Sequence, residues 1–287
     1  MEKFQLLIQL TRLNKPIGFL LLFWPCAWGL SLGYYFDNQT TIYLKHIILF
    51  FLGALLMRSA GCIVNDIVDR NFDKRVERTK TRPIAAGKIS ILEAFFYVFL
   101  LCLIALLILL QFNTLTIILG MGSMILAFTY PFMKRITYWP QFFLGLTFNW
   151  GIIMGWTSIT NSISVEPFIL YFAAIFWTLG YDTIYGLQDI KDDEIIGVKS
   201  TSIKFKNNVK VFVASCYALC VLLILSLGLI MEINKYVLLS SFFFTSTLIY
   251  QLIITKVSNP TSCLVAFKNN NLTGIFILLF IISFKIL

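Results

Sequence analysis

The sequence predicts an all-α membrane protein in which about nine transmembrane helices form one bundle around a central cavity. Composition is the first observation: 59% of the 287 residues are hydrophobic and only 13% are charged, whereas a soluble domain carries about a quarter charged residues. The second is that apolar runs of about 20 residues, the length that spans a bilayer, recur from end to end. We expect a single domain over residues 1–287, surrounded by lipid.

Nine apolar segments follow one another along the chain. They run near 16–36, 42–64, 90–111, 114–131, 139–159, 167–186, 209–231, 236–255 and 271–287. The second and sixth segments lead into acid-rich stretches, whose leading aspartates, Asp66 and Asp189, are 123 positions apart. This spacing indicates an internal pseudo-repeat, with halves of roughly 1–135 and 136–287.

The charges between the segments predict the orientation of the chain. Arg58 lies within the second segment. Of the other basic residues, all but Lys45, Lys235 and Lys285 lie before the first segment or after segments two, four, six and eight. The positive-inside rule therefore places the N-terminus and both acid-rich stretches in the cytoplasm, and we expect a multi-pass protein of the bacterial inner membrane. Topology accounts for the net charge of +9, so no nucleic-acid partner is indicated, and no obligate protein partner is evident.

The first acid-rich stretch follows the second segment. Arg58, Asn65, Asp66, Asp69 and Asp73 are separated mainly by three, four or seven positions, which predicts one shared helix face. A carboxylate at mid-bilayer costs roughly 2.5–3.5 kcal/mol, and divalent cations that bridge to a diphosphate would offset that penalty. Arg58 lies within the apolar segment, so it either forms a structural ion pair with one of these aspartates or faces a bound anion.

The second acid-rich stretch repeats this pattern. Asp182, Tyr185, Asp189, Asp192 and Asp193 fall at i, i+3, i+7, i+10 and i+11, which again predicts a common helix face. Two facing clusters with only oxygen ligands favour Mg²⁺ over zinc. A cation-coupled transporter is the alternative from another class, but it predicts acids near mid-membrane with few flanking cations.

Basic residues follow or accompany both acid clusters. They lie in Arg78-Thr79-Lys80-Thr81-Arg82-Pro83, in Tyr130-Pro131-Phe132-Met133-Lys134-Arg135 and in Gly197-Val198-Lys199-Ser200-Thr201. Cytoplasmic positive charge explains many of them. Carboxylates interleaved with cations are also what a magnesium diphosphate site requires, because acids hold the metal and Lys or Arg neutralise the remaining phosphate charge.

These motifs resemble the signature of the UbiA superfamily of intramembrane aromatic prenyltransferases, over nearly the whole chain. The signature is carried by Asn65–Asp73 and by the stretch that ends at Arg82-Pro83. Three further stretches are similar to the members that prenylate 4-hydroxybenzoate: Arg12–Gly18 with Trp24-Pro25, Tyr130–Thr137 with Trp139-Pro140-Gln141, and Phe267–Gly274 before the last helix. The second acid-rich stretch is less acidic in its middle than in some members, but it keeps Asp-x-x-x-Asp at Asp189 and Asp193.

The resemblance implies Mg²⁺ as cofactor and a polyprenyl diphosphate and 4-hydroxybenzoate as substrates, with prenyl transfer to the ring carbon ortho to the hydroxyl in ubiquinone biosynthesis. The implied roles are as follows: Asp66, Asp69 and Asp73, with Asn65, hold one Mg²⁺; Asp189 and Asp193 hold another; Arg82, Tyr130, Lys134 and Lys199 contact substrate; Asp182 orients or deprotonates the phenol; and Arg58 binds the benzoate carboxylate or the diphosphate. Other acceptors, such as homogentisate or a naphthoate, stay open at this point.

Overall fold

The computed structural model describes residues 2–37, 40–77, 79–231 and 235–285, and regular structure in these residues is helical. The helices are α1 Glu2–Thr11, α2 Ile17–Phe36, α3 Thr40–Asp73, α4 Ile91–Leu109, α5 Thr114–Ile136, α6 Pro140–Asn149, α7 Gly151–Thr160, α8 Glu166–Gly186, α9 Ile190–Ile196, α10 Thr201–Lys204, α11 Val209–Ile230, α12 Lys235–Ile254 and α13 Pro260–Ser283. Nine stretches of this described part are long and apolar enough to cross a membrane, with α6 and α7 together forming one of them. The predicted all-α membrane fold is confirmed; the single domain and the pseudo-repeat stay predictions.

The fifth span consists of two helices, α6 and α7, which meet at a break, and α7 packs closely on α2. Helices α6 and α7 join at Trp150. A Cβ at Gly29 of α2 would lie 1.9 Å from the Ile152 carbonyl oxygen, and one at Gly155 of α7 would lie 2.4 Å from the Cys26 carbonyl oxygen. Small residues let membrane helices approach to backbone contact, so these glycines fix α7 against α2.

The last span begins earlier than its apolar segment. The Asn259 side chain accepts hydrogen bonds from two backbone N–H groups of the first turn of α13, and Pro260 occupies the first turn. Both residue types favour a helix start at these positions. The predicted start near residue 271 is therefore wrong, and the stretch Phe267–Gly274 lies inside α13 and not before it.

The asparagines of this stretch hold α13 to two neighbouring helices. Trp24 of α2 donates its indole N–H to the Asn271 side-chain oxygen at 2.9 Å. Trp177 of α8 donates to the Asn270 side-chain oxygen at 2.8 Å, with both residues buried. Buried polar groups need such partners away from water, and these two bonds fix the position of α13 beside α2 and α8.

Helices α4 and α8 differ in how much of their surface is buried. Among the residues of α4, Ala94 and Ala105 are buried, while Leu92 and Phe99 expose 83% and 64% of their surface. Most residues of α8 are buried, as expected of a helix at the centre of a bundle. The bundle therefore turns α4 toward lipid and places α8, which leads into the second acid-rich stretch, at its core.

Candidate active site

The first acid-rich stretch lies on a continuous helix. Helix α3 extends through the acids and ends at Asp73, so the helical spacing read from the sequence applies to the structure. The side chains of Asp66, Asp69 and Asp73 are all buried, and Asn65 is half-buried beside them. Three carboxylates so close together must be balanced by positive charge, because an unpaired buried charge is strongly unfavourable.

Cations from three separate segments balance these carboxylates. Arg12 Nη2 lies 2.5 Å from Asp66 Oδ1. Arg82 Nη1 bridges two acids, at 3.1 Å from Asp66 Oδ1 and 2.8 Å from Asp73 Oδ2. Lys134, near the end of α5, donates a hydrogen bond to Asp69 Oδ2. The first acid-rich stretch and its cations therefore form one charged cluster, which we call the α3 cluster: Asp66, Asp69, Asp73, Arg12, Arg82 and Lys134.

Arg12 and Arg135 are members of the site region that the sequence did not single out. Arg12 follows α1 with a φ of 56°, a left-handed conformation that is uncommon for a residue with a side chain. Burial alone would lower the pKa of Arg12, but the negative groups around it, Asp66 among them, outweigh burial and raise the pKa, so the guanidinium stays charged. Arg135 donates to the Val68 carbonyl oxygen at 2.9 Å and lies 3.5 Å from Asp69 Oδ1.

The signal for Arg12 was present in the sequence but was ambiguous. It lies in the Arg12–Gly18 stretch, where a basic residue before the first span is equally explained by positive-inside topology. No local pattern reports that it reaches a residue 54 positions away. Arg78, which belongs to the same sequence motif as Arg82, lies outside the described residues.

Arg58 lies deeper in the bundle than the α3 cluster. Its Nε is buried and has no hydrogen-bond partner among the described residues. Its guanidinium carbon is 5.3 Å from the ring centroid of Phe148 on α6, and a Cβ at Gly18 of α2 would lie 3.1 Å from Nε. No ion pair within 4.0 Å joins Arg58 to the aspartates in the described part of the chain. This arrangement favours the interpretation that Arg58 faces a bound anion.

The second acid-rich stretch differs from its predicted geometry. Helix α8 ends at Gly186, and a new helix, α9, begins after Asp189. The prediction that Asp182 and Asp189 share one continuous helix face with Tyr185, Asp192 and Asp193 is therefore wrong. A Cβ at Gly186 would lie 2.4 Å from Ser202 Oγ, so the chain that returns through α10 packs directly against the end of α8.

Hydrogen bonds hold this return segment against α8 and α6. Ser202 donates its hydroxyl to the Thr183 carbonyl oxygen at 2.8 Å. The Thr201 backbone N–H donates to the Gln141 side-chain oxygen of α6 at 3.0 Å. The break after Gly186 thus follows from tertiary packing, and it leaves Asp182 on α8 while Asp189 and Asp193, both half-buried, lie at α9.

Helix α5 links the two acid-rich stretches. The Lys199 backbone N–H, which follows the second stretch, donates to the Lys134 carbonyl oxygen at 2.8 Å. One helical turn before Lys134, Tyr130 lies within electrostatic reach of Asp69, Asp182 and Arg58. Asp182 in turn lies within reach of Arg58. The structure therefore gathers Arg58, Tyr130 and Asp182 in one region of the bundle.

Lys199 is placed differently from the other predicted substrate-binding residues. Its ammonium donates to the Ile136 carbonyl oxygen at 3.2 Å and lies 5.7 Å from the Tyr138 ring centroid. It forms no ion pair within 4.0 Å among the described residues. Its backbone supports the end of α5, and a direct contact of its side chain with substrate stays a prediction.

The acids fit Mg²⁺ in the manner of a diphosphate site. In the described part of the chain, no three acidic, histidine or cysteine side chains converge as a ready-made metal cage. Mg²⁺ typically uses one or two carboxylates and completes its shell with water and substrate phosphates. Asp69 Oδ1 is buried without a hydrogen-bond partner among the described residues, so it has lone pairs available for a metal. The donor set therefore fits an ion shared with a phosphorylated substrate.

Nine candidate spans among the described residues define a polytopic membrane protein, and a cation-balanced acid cluster lies at the end of its long helix α3. The sequence profile described as "UbiA prenyltransferase family" matches residues 22–280. The chain therefore belongs to the UbiA prenyltransferase family.

Relatives from bacteria and animals cover most of the chain. The 4-hydroxybenzoate octaprenyltransferase of Psychromonas ingrahamii is 40% identical over 95% of this chain and 94% of its own length. The mitochondrial 4-hydroxybenzoate polyprenyltransferase of Caenorhabditis elegans is 42% identical over 93% of this chain and 75% of its own length.

Solved structures show the same fold. The apo structure of a UbiA homolog from Aeropyrum pernix K1 superposes with a TM-score of 0.76 at 23% identity, covering 90% of this chain and 94% of that chain. The structure of a UbiA homolog from Archaeoglobus fulgidus bound to GPP and Mg²⁺ gives a TM-score of 0.73 at 18% identity, covering 98% of this chain and 100% of that chain.

Proposed function

We propose that this chain is a 4-hydroxybenzoate polyprenyltransferase of ubiquinone biosynthesis. It moves a polyprenyl group from a polyprenyl diphosphate to the ring carbon ortho to the hydroxyl of 4-hydroxybenzoate. The observation that carries the proposal is the α3 cluster, in which buried carboxylates and cations from three segments meet. Relatives at about 40% identity with this activity in their names support the choice of acceptor.

The metal requirement follows from the donor set. Asp66, Asp69 and Asp73, assisted by Asn65, would hold one Mg²⁺, and Asp189 with Asp193 would hold a second. When bound, the ions supply positive charge to the leaving diphosphate. The Archaeoglobus fulgidus homolog with GPP and Mg²⁺ is consistent with this assignment.

The cations of the α3 cluster would also bind the diphosphate of the substrate. Arg82 and Lys134 now neutralise the aspartates, and both side chains are long enough to turn toward diphosphate oxygens nearby. Tyr130, on the same helix as Lys134, would donate its hydroxyl to the same group. Charge-assisted bonds of this kind are stronger than neutral ones, so these residues stabilise the departing diphosphate.

The transfer itself breaks one bond and forms another. The C–O bond of the prenyl diphosphate breaks, and its electron pair leaves with the diphosphate. The ring carbon ortho to the hydroxyl attacks the resulting allylic cation, and that carbon then loses its proton to the released diphosphate. Asp182 would orient the phenol or accept its proton, while Arg58 would hold the carboxylate. The apolar bundle excludes water, which would otherwise capture the cation.

The proposal includes a location. The acid clusters would face the cytoplasm of a bacterial inner membrane, because the basic loops lie at the same end as the acids. Trypsin should cleave the basic loop between α3 and α4 in inside-out vesicles and leave it intact in right-side-out vesicles. The opposite pattern would overturn the orientation.

One assay tests the activity and the acceptor together. Purified membranes receive a polyprenyl diphosphate and 4-hydroxybenzoate, with Mg²⁺ or with EDTA, and mass spectrometry follows 3-polyprenyl-4-hydroxybenzoate. Product is expected only with Mg²⁺. Product with homogentisate or a naphthoate but not with 4-hydroxybenzoate would reassign the acceptor. The absence of product with every acceptor would overturn the proposed prenyltransferase activity.

A further inference from the structure

Gly61 lies in the middle of α3 beside open space. A Cβ added there would have no heavy atom of another described residue within 4 Å, although the residue is only half-exposed. Its φ is not positive, so its backbone conformation is open to any residue. Glycine inside a helix is unfavourable relative to alanine. The glycine therefore leaves a space on this side of α3 that a ligand can fill.

The position of Gly61 on α3 connects the open space to the site. Gly61 follows Arg58 by three residues and precedes Asn65 by four, so the three share one helix face. At 1.5 Å per residue, Gly61 is about 4.5 Å along the axis from Arg58 and about 12 Å from Asp69. The space therefore lies between a deep cation and the carboxylates of the α3 cluster.

The chemistry of Arg58 indicates which part of which substrate enters this space. Its Nε is buried without a hydrogen-bond partner among the described residues. Gly18 and the Phe148 ring hold the side chain from two other helices. An anion that is small and planar, a carboxylate, matches the geometry of a guanidinium. An aromatic acid whose carboxylate meets Arg58 would place its ring beside Gly61.

We propose that Gly61 is a specificity-determining residue, whose missing side chain leaves room for the aromatic ring of the acceptor. The carboxylate of the acceptor faces Arg58, and its hydroxyl end faces the α3 cluster, where the diphosphate leaves. The inference rests on the proposed function and adds where the acceptor lies. It also gives a reason for a glycine at a position where glycine weakens the helix.

The test compares Gly61→Ala with Gly53→Ala. Gly53 is in the same helix, is half-buried and likewise has no heavy atom of the described chain within 4 Å of an added Cβ. It precedes Arg58 by five residues and so lies on a different face. Gly61→Ala should raise the KM for 4-hydroxybenzoate by about 10- to 200-fold, the usual effect of one methyl group too many in a pocket. Gly53→Ala should leave it unchanged.

Two further readouts separate a pocket effect from a folding defect. The Tm of both variants should equal or exceed that of the wild type, because alanine favours the helix and meets no neighbour. Added 4-hydroxybenzoate should raise the Tm of the wild type and of Gly53→Ala, but not that of Gly61→Ala. The KM for the polyprenyl diphosphate should stay the same in all three proteins.

Several outcomes would overturn the inference. A higher KM for the polyprenyl diphosphate, or a change in the prenyl chain lengths accepted, would assign the space to the prenyl group. Equal kinetics of Gly61→Ala and wild type, or a lower Tm of Gly61→Ala, would show that the space is not an acceptor site. These results leave the proposed function intact if wild type and Gly53→Ala are active. Inactivity of the wild type with 4-hydroxybenzoate would instead overturn both.

Discussion

The two acid-rich stretches carry similar residues on different supports. In the first, one unbroken helix positions Asp66, Asp69 and Asp73, and all three are buried. In the second, the helix ends at Gly186, and half-buried Asp189 lies before a separate short helix. The first stretch has its register fixed by backbone hydrogen bonds, whereas the second depends on how the return segment packs against α8.

This difference separates the contribution of a carboxylate to stability from its contribution to catalysis. The acids of the α3 cluster form ion pairs with the turn after α1, with α5 and with the loop after α3, so they contribute to stability as well as to chemistry. The acids of the second stretch are more accessible to solvent, which weakens the contribution of any ion pair to folding. Substitutions in the two stretches should therefore affect activity alike and stability unequally.

The largest effect is expected at Asp66. Asp66→Asn should lower kcat/KM by about 10²- to 10³-fold, as for other losses of charge stabilisation at a reacting group. It should also destabilise the protein by about 2 kcal/mol, because Arg12 and Arg82 lose the carboxylate that they share. This is less than for a fully buried pair, because their side chains are 25% and 24% exposed. Kinetics and thermal unfolding in detergent measure both, and an unchanged Tm would contradict the structural role.

Asp193→Asn in the second stretch should lower the activity without the loss of stability that is expected for Asp66→Asn. The activity should again fall by about 10²-fold, since a metal ligand is lost. The unfolding free energy should change by less than about 1 kcal/mol, the range of exposed ion pairs. A loss of stability as large as that of Asp66→Asn would show that the two stretches are structurally equivalent.

Metal binding should depend on the diphosphate because cations already hold the acids of the α3 cluster. Mg²⁺ alone should raise the Tm only slightly. Mg²⁺ with pyrophosphate at about 100 times its Kd should stabilise the protein by about 2.7 kcal/mol, with EDTA as the control. Equal shifts with and without pyrophosphate would mean that the acids bind metal independently of substrate.

The smallest effect is expected at the end of α9. Gly197 ends this helix with a φ of 80°, a conformation that costs a residue with a side chain about 1–2 kcal/mol. Gly197→Ala should therefore lower the unfolding free energy by about 1 kcal/mol, whereas Gly197→Asn should lower it less because asparagine tolerates this region. Identical Tm values for the two variants would argue against backbone strain as the cause.

Part of the site could be predicted from local patterns. Bilayer-length apolar runs gave the spans, and helical spacing placed Asn65, Asp66, Asp69 and Asp73 together, because both patterns depend on residues near one another in the chain. The same spacing failed after Gly186, where the contact with Ser202, sixteen residues away, ends the helix. The start of α13 was also missed, since Lys268 and the three asparagines after it separate the short apolar run of its first turns from the long apolar segment.

The sequence by itself determined the membrane class, the number of spans and the residue types of the site, because hydropathy and helical periodicity are local properties. Only the tertiary structure decided that Arg12, Arg82 and Lys134 neutralise the α3 carboxylates, that the buried Nε of Arg58 has no hydrogen-bond partner among the described residues, and that space lies open beside Gly61. These features join residues from different helices, and the packing of the bundle sets which of them meet.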